Sequence, residues 1–297
     1  MRGAERGFLL LTGNLGNPER RPLTMAQLRS LASRVQLMQK PIDDRDLTAR
    51  DLKKLGYSED MARRILALLE DRELLEVYLS RGRRENCIPL TRVTEGYPAV
   101  LRQKLGMESP GCLWCKGDIS LLDTPKVSLV GSRDLNPANR EFARQVGIQA
   151  ARQGYTLVSG NARGADQTAQ RACLEFGGRV ISVVADELTR HREQERLLYI
   201  SEDCFDGAFS APRALSRNRV IHCLSEITFV AQCGDGIGGT WNGTVKNLRQ
   251  GWSRVYCFND ASNAAAQLLI RGAEKIDTQN LSDFTGLEEN TLNFFDQ

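Results

Sequence analysis

From Lys126 onward the chain alternates short apolar runs of strand character with longer stretches of helical spacing, and this alternation restricts the fold more than any other feature. The strand-like runs lie at 127–130, 156–158, 180–184, 198–200, 227–230 and 254–258. Helical stretches are expected at about 138–153, 165–176, 217–225 and 242–250. A strand that returns through a helix lies parallel to its predecessor, and such crossovers cover both faces of a sheet. Residues 126–297 are therefore expected to form a mostly parallel α/β sheet with helices on both faces.

Upstream the texture differs. Thr24 precedes a run of helical spacing from Met25, and a second pattern passes through Leu47, Leu52, Leu55, Met61, Ile65, Leu66, Leu68 and Leu69, broken at Gly56-Tyr57-Ser58. Residues 1–85 are read as a small all-α domain with Arg63, Arg64 and Arg72 on a solvated polar face. Between the two lies a stretch at 86–125 containing Pro89, Pro98, Pro110 and Pro125. Proline opposes helix and favours extended chain, so a connector with a short strand at 110–117 is expected there. The polar last twenty residues are read as a short final helix or a tail.

Bulk properties narrow the function little. The 297 residues leave room for two domains, and 40 basic against 37 acidic side chains give a net charge of +3. So small an excess neither indicates nor excludes a nucleic-acid partner, because a basic patch can sit inside a balanced total. No segment approaches the roughly 18 apolar residues of a membrane span, and the run at 8–11 is too short for a secretory core. The eight cysteines are scattered through core-like segments. A reduced, cytoplasmic setting without membrane attachment is the expectation.

Ligands of open parallel sheets bind beyond the carboxyl ends of the strands, so the turns after each strand carry the argument. After the first comes Gly131-Ser132-Arg133, in which glycine admits close approach, serine offers a hydroxyl and amide, and arginine a cationic fork. After the second comes Ser159-Gly160-Asn161-Ala162-Arg163-Gly164-Ala165-Asp166, an anion-cradling turn whose Asp166 is read as tying down the loop. Ser216-Arg217-Asn218-Arg219 is read as opening a helix. Residues two apart on a helix point about 200° apart, so one arginine lines the cleft and the other pairs with a carboxylate, in an order the residues leave open. Last, Gly234-Asp235-Gly236-Ile237-Gly238-Gly239-Thr240 precedes another helix and is read as a phosphate cradle. Neither the dinucleotide fingerprint nor the P-loop occurs in its proper context, so no cofactor is expected.

Taken in order over about residues 86–260, these turns resemble the DNA-processing protein A (DprA/Smf) family. Tyr97-Pro98, the segment from Pro110 to Gly117 and Ile200-Ser201-Glu202 add to the likeness, and the amino-terminal helices resemble the SAM-like module often found there. The resemblance implies a Rossmann-like domain that forms a homodimer, binds single-stranded DNA in a basic pocket and works in natural transformation and recombination with a RecA-type recombinase. It makes Arg133, Arg163, Arg217 and Arg219 candidate phosphate contacts, and the amides near Ser132, Gly160 and Gly239 candidate anion donors. Gly131, Ser159, Gly164, Asn218, Gly238 and Thr240 complete the expected phosphate-binding set.

Other signals weigh less. Cys112 and Cys115 lack a second pair, and residues three apart on a strand face opposite sides, so packing rather than a metal is expected. His191 and His222 have no ligand spacing between them. Phe209, Tyr199 and Trp241 are base-stacking candidates by position, although core packing is the weightier assignment for each. No catalytic constellation is evident. A nucleotide phosphoribohydrolase similar to the LOG family is the enzymatic alternative, but Asn247 stands where its glutamate would fall. A sensor for a small nucleotide in the same cleft is the other.

Overall fold

The computed structural model of the chain describes residues 1–38 and 46–289. Positions 39–45 of the expected helical region, and the tail from 290, lie outside the described residues. Helices α1 (Gly3–Thr12), α2 (Met25–Gln36), α3 (Ala49–Lys54), α4 (Glu59–Glu70) and α5 (Arg72–Arg84) come first. There follow β1 (Ile88–Thr91), α6 (Ala99–Leu105), β2 (Cys112–Gly117), β3 (Lys126–Val130), α7 (Pro137–Arg152), β4 (Thr156–Ser159), α8 (Ala165–Glu175) and β5 (Arg179–Val184). The chain continues through β6 (Leu197–Glu202), α9 (Ala211–Cys223), β7 (Ile227–Val230), α10 (Gly239–Gln250), β8 (Arg254–Phe258), α11 (Asn263–Ile270), β9 (Glu274–Ile276) and α12 (Phe284–Glu289).

Local chemistry sets the helical boundaries. Thr24 and Gln27 exchange hydrogen bonds at 3.2 and 3.0 Å, a reciprocal cap that starts α2 where the sequence signal lies. α1, which the periodicity reading did not include, buries Phe8, Leu9, Leu10 and Leu11. Arg20 is buried behind it, donating to the carbonyls of Leu10 and Leu68 and pairing with Asp71 at 2.8 Å. A single side chain so joins α1 to the end of α4.

The described strands form one sheet in the order β1-β2-β6-β5-β4-β3-β7-β8-β9. From β6 to β9 every pairing is parallel, while β1 and β2 add antiparallel at the β6 edge. The expected α/β architecture is therefore present, and the order reverses between β3 and β7. Val127, Leu129, Leu157 and Phe229 pack one face against α7 and α8, through Phe142, Val146 and Ala169. Val130, Val158, Ile181 and Ile200 pack the other face against Leu101, Val220, Ile221 and Trp241. Cys112 and Cys115 fall in different clusters, on opposite faces of β2, as strand geometry requires.

Two local readings are corrected. Residues 99–105 form a helix, because Pro98 stands at its N-cap, where its ring costs no hydrogen bond. More consequentially, α9 starts at Ala211, capped by the Ser210 hydroxyl with Pro212 in its first turn, so Arg217 and Arg219 are interior to the helix and do not open it.

Candidate functional site

At the strand-order reversal the turns after β3, β4 and β7 meet the flank of α9. They enclose a hollow of about 490 Å³ lined by Gly131, Ser132, Arg133, Asp166, Arg217, Asn218, Gly238, Gly239 and Thr240. A second hollow, of about 260 Å³, adjoins it and is lined by Arg133, Gly160, Arg163, Asp186, Phe209 and Arg217. Arg133 and Arg217 border both, so the two are arms of one cleft. Its combined size suits a ligand larger than a single anion.

The turns are stitched together by their own polar groups. Thr240 Oγ1 donates to the Gly131 carbonyl at 3.0 Å, and Asn218 Nδ2 donates to the Gly239 carbonyl at 3.1 Å. Both were expected at the ligand; the fold uses these groups to hold the cleft's walls in register. The Ser132 N–H donates to the Gln232 carbonyl at 2.9 Å, and the Asn136 N–H to the Gln232 side chain at 3.0 Å. That spends the Ser132 amide inside the fold, so it is not the free anion donor that was expected. Gly164 holds a φ of +91°, and a Cβ there would lie 2.3 Å from the Arg133 carbonyl oxygen. Only glycine lets these two turns pack so closely.

Arg217 lies at the junction of the arms. Its side chain is 11% exposed, its Nε has no partner, and its Nη1 is 3.9 Å from Asp166 Oδ2, too far for a hydrogen bond. A Cβ on Gly160 would fall 1.3 Å from Nη1, so the glycine is what gives the guanidinium its place. Burial pushes the Arg217 pKa down, against the pull of Asp166, and Arg133 adds repulsion. Asp166 is itself pushed up by burial, opposed by Arg217 and by the amide of Ala162, which donates to it at 3.2 Å. The loop-tying reading of Asp166 agrees with that bond. Arg133 is exposed and has no partner among the described residues. Arg163, also exposed at the rim, pairs with Asp134 at 2.7 Å. The first residue of α10 is Gly239, and no side chain caps that end of the helix, which leaves its amides and positive dipole end facing the larger hollow.

Of the other expected residues, Arg219 borders neither arm. It pairs with Glu202 at 2.7 Å and also donates to Ser216 and to the Glu108 carbonyl. Burial pushes the Glu202 carboxyl up to about 7 despite Arg219. The choice left open between the two arginines is settled geometrically, with Arg217 at the cleft and Arg219 on a carboxylate. Ser159 is fully buried in β4 and borders neither hollow. Asn247 is buried too, bonded to Ser253 at 2.9 Å and to His222 at 3.2 Å. His222 forms part of the floor of the larger hollow; burial lowers its pKa to about 3 and keeps it neutral.

Sequence reasoning missed Leu215 and Ile237 at the rim, and gave Phe209, a stacking candidate by position, core packing as its weightier assignment. Leu215 and Ile237 are 52% and 72% exposed beside the larger hollow, and Phe209 is 58% exposed beside the smaller. The signal of Ile237 was an apolar side chain in an otherwise polar turn, whereas Leu215 lies within α9. Trp241 is buried in the core and Tyr199 stacks on His191 with centroids 4.6 Å apart, so neither faces the cleft as a free platform.

Three comparisons bear on what this cleft is for. The model of the family described as DNA recombination-mediator protein A matches residues 89–284. The DNA processing protein DprA of Bacillus subtilis is 28% identical over 220 residues, a match covering 68% of this chain and 71% of that protein. Protein Smf of Escherichia coli is 29% identical over 195 residues, covering 61% of this chain and half of that one. Among solved structures, DNA processing protein A from Streptococcus pneumoniae superposes with a TM-score of 0.62 at 21% identity, over 86% of this chain and 95% of its own. DNA processing protein A from Helicobacter pylori, whose single-stranded DNA binding mode was the subject of its structure, gives 0.56 at 23% identity, over 69% and 95%.

Proposed function

The chain belongs to the DNA recombination-mediator protein A family, and from that premise we propose that it binds single-stranded DNA, with the phosphate backbone lying in the cleft at the carboxyl ends of β3, β4 and β7. The observation that carries the proposal is Arg217: a buried guanidinium with an unpartnered Nε and no carboxylate in hydrogen-bond contact. A buried charge so poorly neutralised is costly unless an anion completes it. Phosphate is planar-fork chemistry for arginine, and the uncapped start of α10 supplies further donors on the same wall. Arg133 and Arg163 at the rim extend the positive track along the smaller arm. The single-strand ligand is taken from the Helicobacter pylori relative.

The same proposal includes a binding role rather than a catalytic one, a homodimer, and action with a RecA-type recombinase in DNA uptake or recombination. The eight cysteines are free thiols, seven of them buried, which supports a reducing compartment such as the cytoplasm. Among the described residues no helix is long and apolar enough to cross a membrane. Against the phosphoribohydrolase alternative, Asn247 carries no acid and is turned into the core.

The test is a titration of a labelled thymine oligonucleotide over a series of salt concentrations, with a mononucleotide measured alongside. Binding should weaken steeply with salt, and Arg217→Met should lower affinity and reduce the slope of log affinity by about 0.7 per lost phosphate contact. An unchanged slope removes Arg217 from the site. Tight mononucleotide binding with negligible oligomer binding would favour the sensor reading instead.

A further inference from the structure

Phe8, Phe142, Phe205, Phe229 and Phe284 are buried and the 48% exposed Phe176 lies beneath Arg152, whereas Phe209 leaves 58% of itself exposed. It does so beside Arg133, Arg163 and Arg217, where an isolated exposed ring has least reason to be unless it meets a ligand. The loop that carries it, between β6 and α9, is fixed on both sides. Behind it, the Phe205 ring packs 4.8 Å from Tyr78 and 4.8 Å from Trp114. The Tyr78 hydroxyl donates to Asp206 Oδ1 at 2.7 Å, and Arg81 pairs with Oδ2 of the same carboxylate. Ahead of it, the Ser210 hydroxyl accepts the Arg213 N–H at 3.3 Å to cap α9. Tyr78 and Arg81 both belong to α5, so the helical region holds the loop three residues from Phe209.

We propose that Phe209 stacks on an unpaired nucleobase of a strand whose phosphates occupy the arginine-lined arm, and that α5 positions it through Asp206. This rests on the single-strand reading above. Every base has a π-face, so a lone ring beside a phosphate track binds without sequence preference. A duplex keeps those faces stacked on one another, so the same ring discriminates against paired DNA. The role also gives the amino-terminal helices a function at the cleft without a contact to DNA of their own.

The experiment is fluorescence anisotropy with a thymine oligonucleotide and an abasic oligonucleotide of equal length, using the full chain, with melting temperatures checked for each variant. Phe209→Ala should lower affinity for the thymine strand about thirtyfold, the middle of the range for one lost base–aromatic stack. Affinity for the abasic strand and the salt slope should not change, and Phe209→Trp should restore thymine binding. Tyr78→Phe, which keeps the ring in the cluster and removes one of the two contacts that hold Asp206, should weaken thymine binding alone and add nothing in the Phe209→Ala background. Equal losses on both strands, or none on thymine, overturn the stacking role. A Tyr78→Phe effect that adds fully to Phe209→Ala overturns the positioning role. Failure of the unaltered chain to bind either oligonucleotide removes the single-strand reading itself, a result distinguishable from the others.

Discussion

A guanidinium withdrawn from water keeps its charge at a cost, and at Arg217 the cost is only partly offset by Asp166 at 3.9 Å. Its position depends on the residue opposite more than on any bond it makes. Gly160→Ala puts a methyl group where Nη1 now lies, and the flexible arginine has to swing away. Because the displaced atoms belong to a long side chain and not to backbone, the expected result is a large loss of oligonucleotide affinity with a modest change in melting temperature. Equilibrium titration and thermal melts on the same preparation check both halves. A substitution that abolished folding would show that the β4 turn is itself intolerant of a side chain. Neighbouring groups divide the work differently: Asn218 and Thr240 spend their donors on carbonyls of adjacent turns, so their truncation acts on cleft geometry before it acts on contact.

At the level of elements, β6 and α9 are joined by Glu202 and Arg219, and this pair makes stability respond to pH. Burial raises the Glu202 pKa from an ordinary 4.5 to about 7. Between those values the folded chain keeps a proton that the unfolded chain has released, so this group's contribution falls as pH rises through the window. Glu202→Gln removes the linkage. In denaturant titrations across pH 4.5 to 7, the variant should gain on the parent with increasing pH; a constant difference would refute the assignment. The same pair explains which parts of the molecule could be read in advance. Parallel strands and most crossover helices were legible because their signals are local: apolar runs at 180–184 and 227–230, and helical spacing after each turn. The fates of Arg217 and Arg219 were not, since the deciding carboxylate sits on a strand whose neighbours are set by the sheet. Likewise the Ser132 amide is consumed by Gln232, a hundred positions along the chain, and β1 and β2 become sheet strands only when β6 is alongside. The α9 boundary was a local signal misjudged, with Ser210 and Pro212 outweighed by the arginines.

Across the whole molecule, the helical region and the sheet share an apolar junction of Leu9, Leu75, Tyr78, Leu79, Trp114 and Phe205. Truncating Phe205 to alanine at its centre should cost about 3–5 kcal/mol, the usual range for a buried phenylalanine, and should loosen α5 from β2 before the sheet itself yields. Hydrogen exchange would reveal it as early deprotection of α1 and α5, with the amides of β3 to β5 unaffected. The junction also holds one of the protein's emitting rings. Of its three tryptophans, Trp114 alone touches the helical region, while Trp241 and Trp252 lie across the sheet beneath Arg271 and Lys246. With those two replaced by phenylalanine, a red shift of the remaining emission would signal that water has entered the seam between the two parts, whatever the state of the strands.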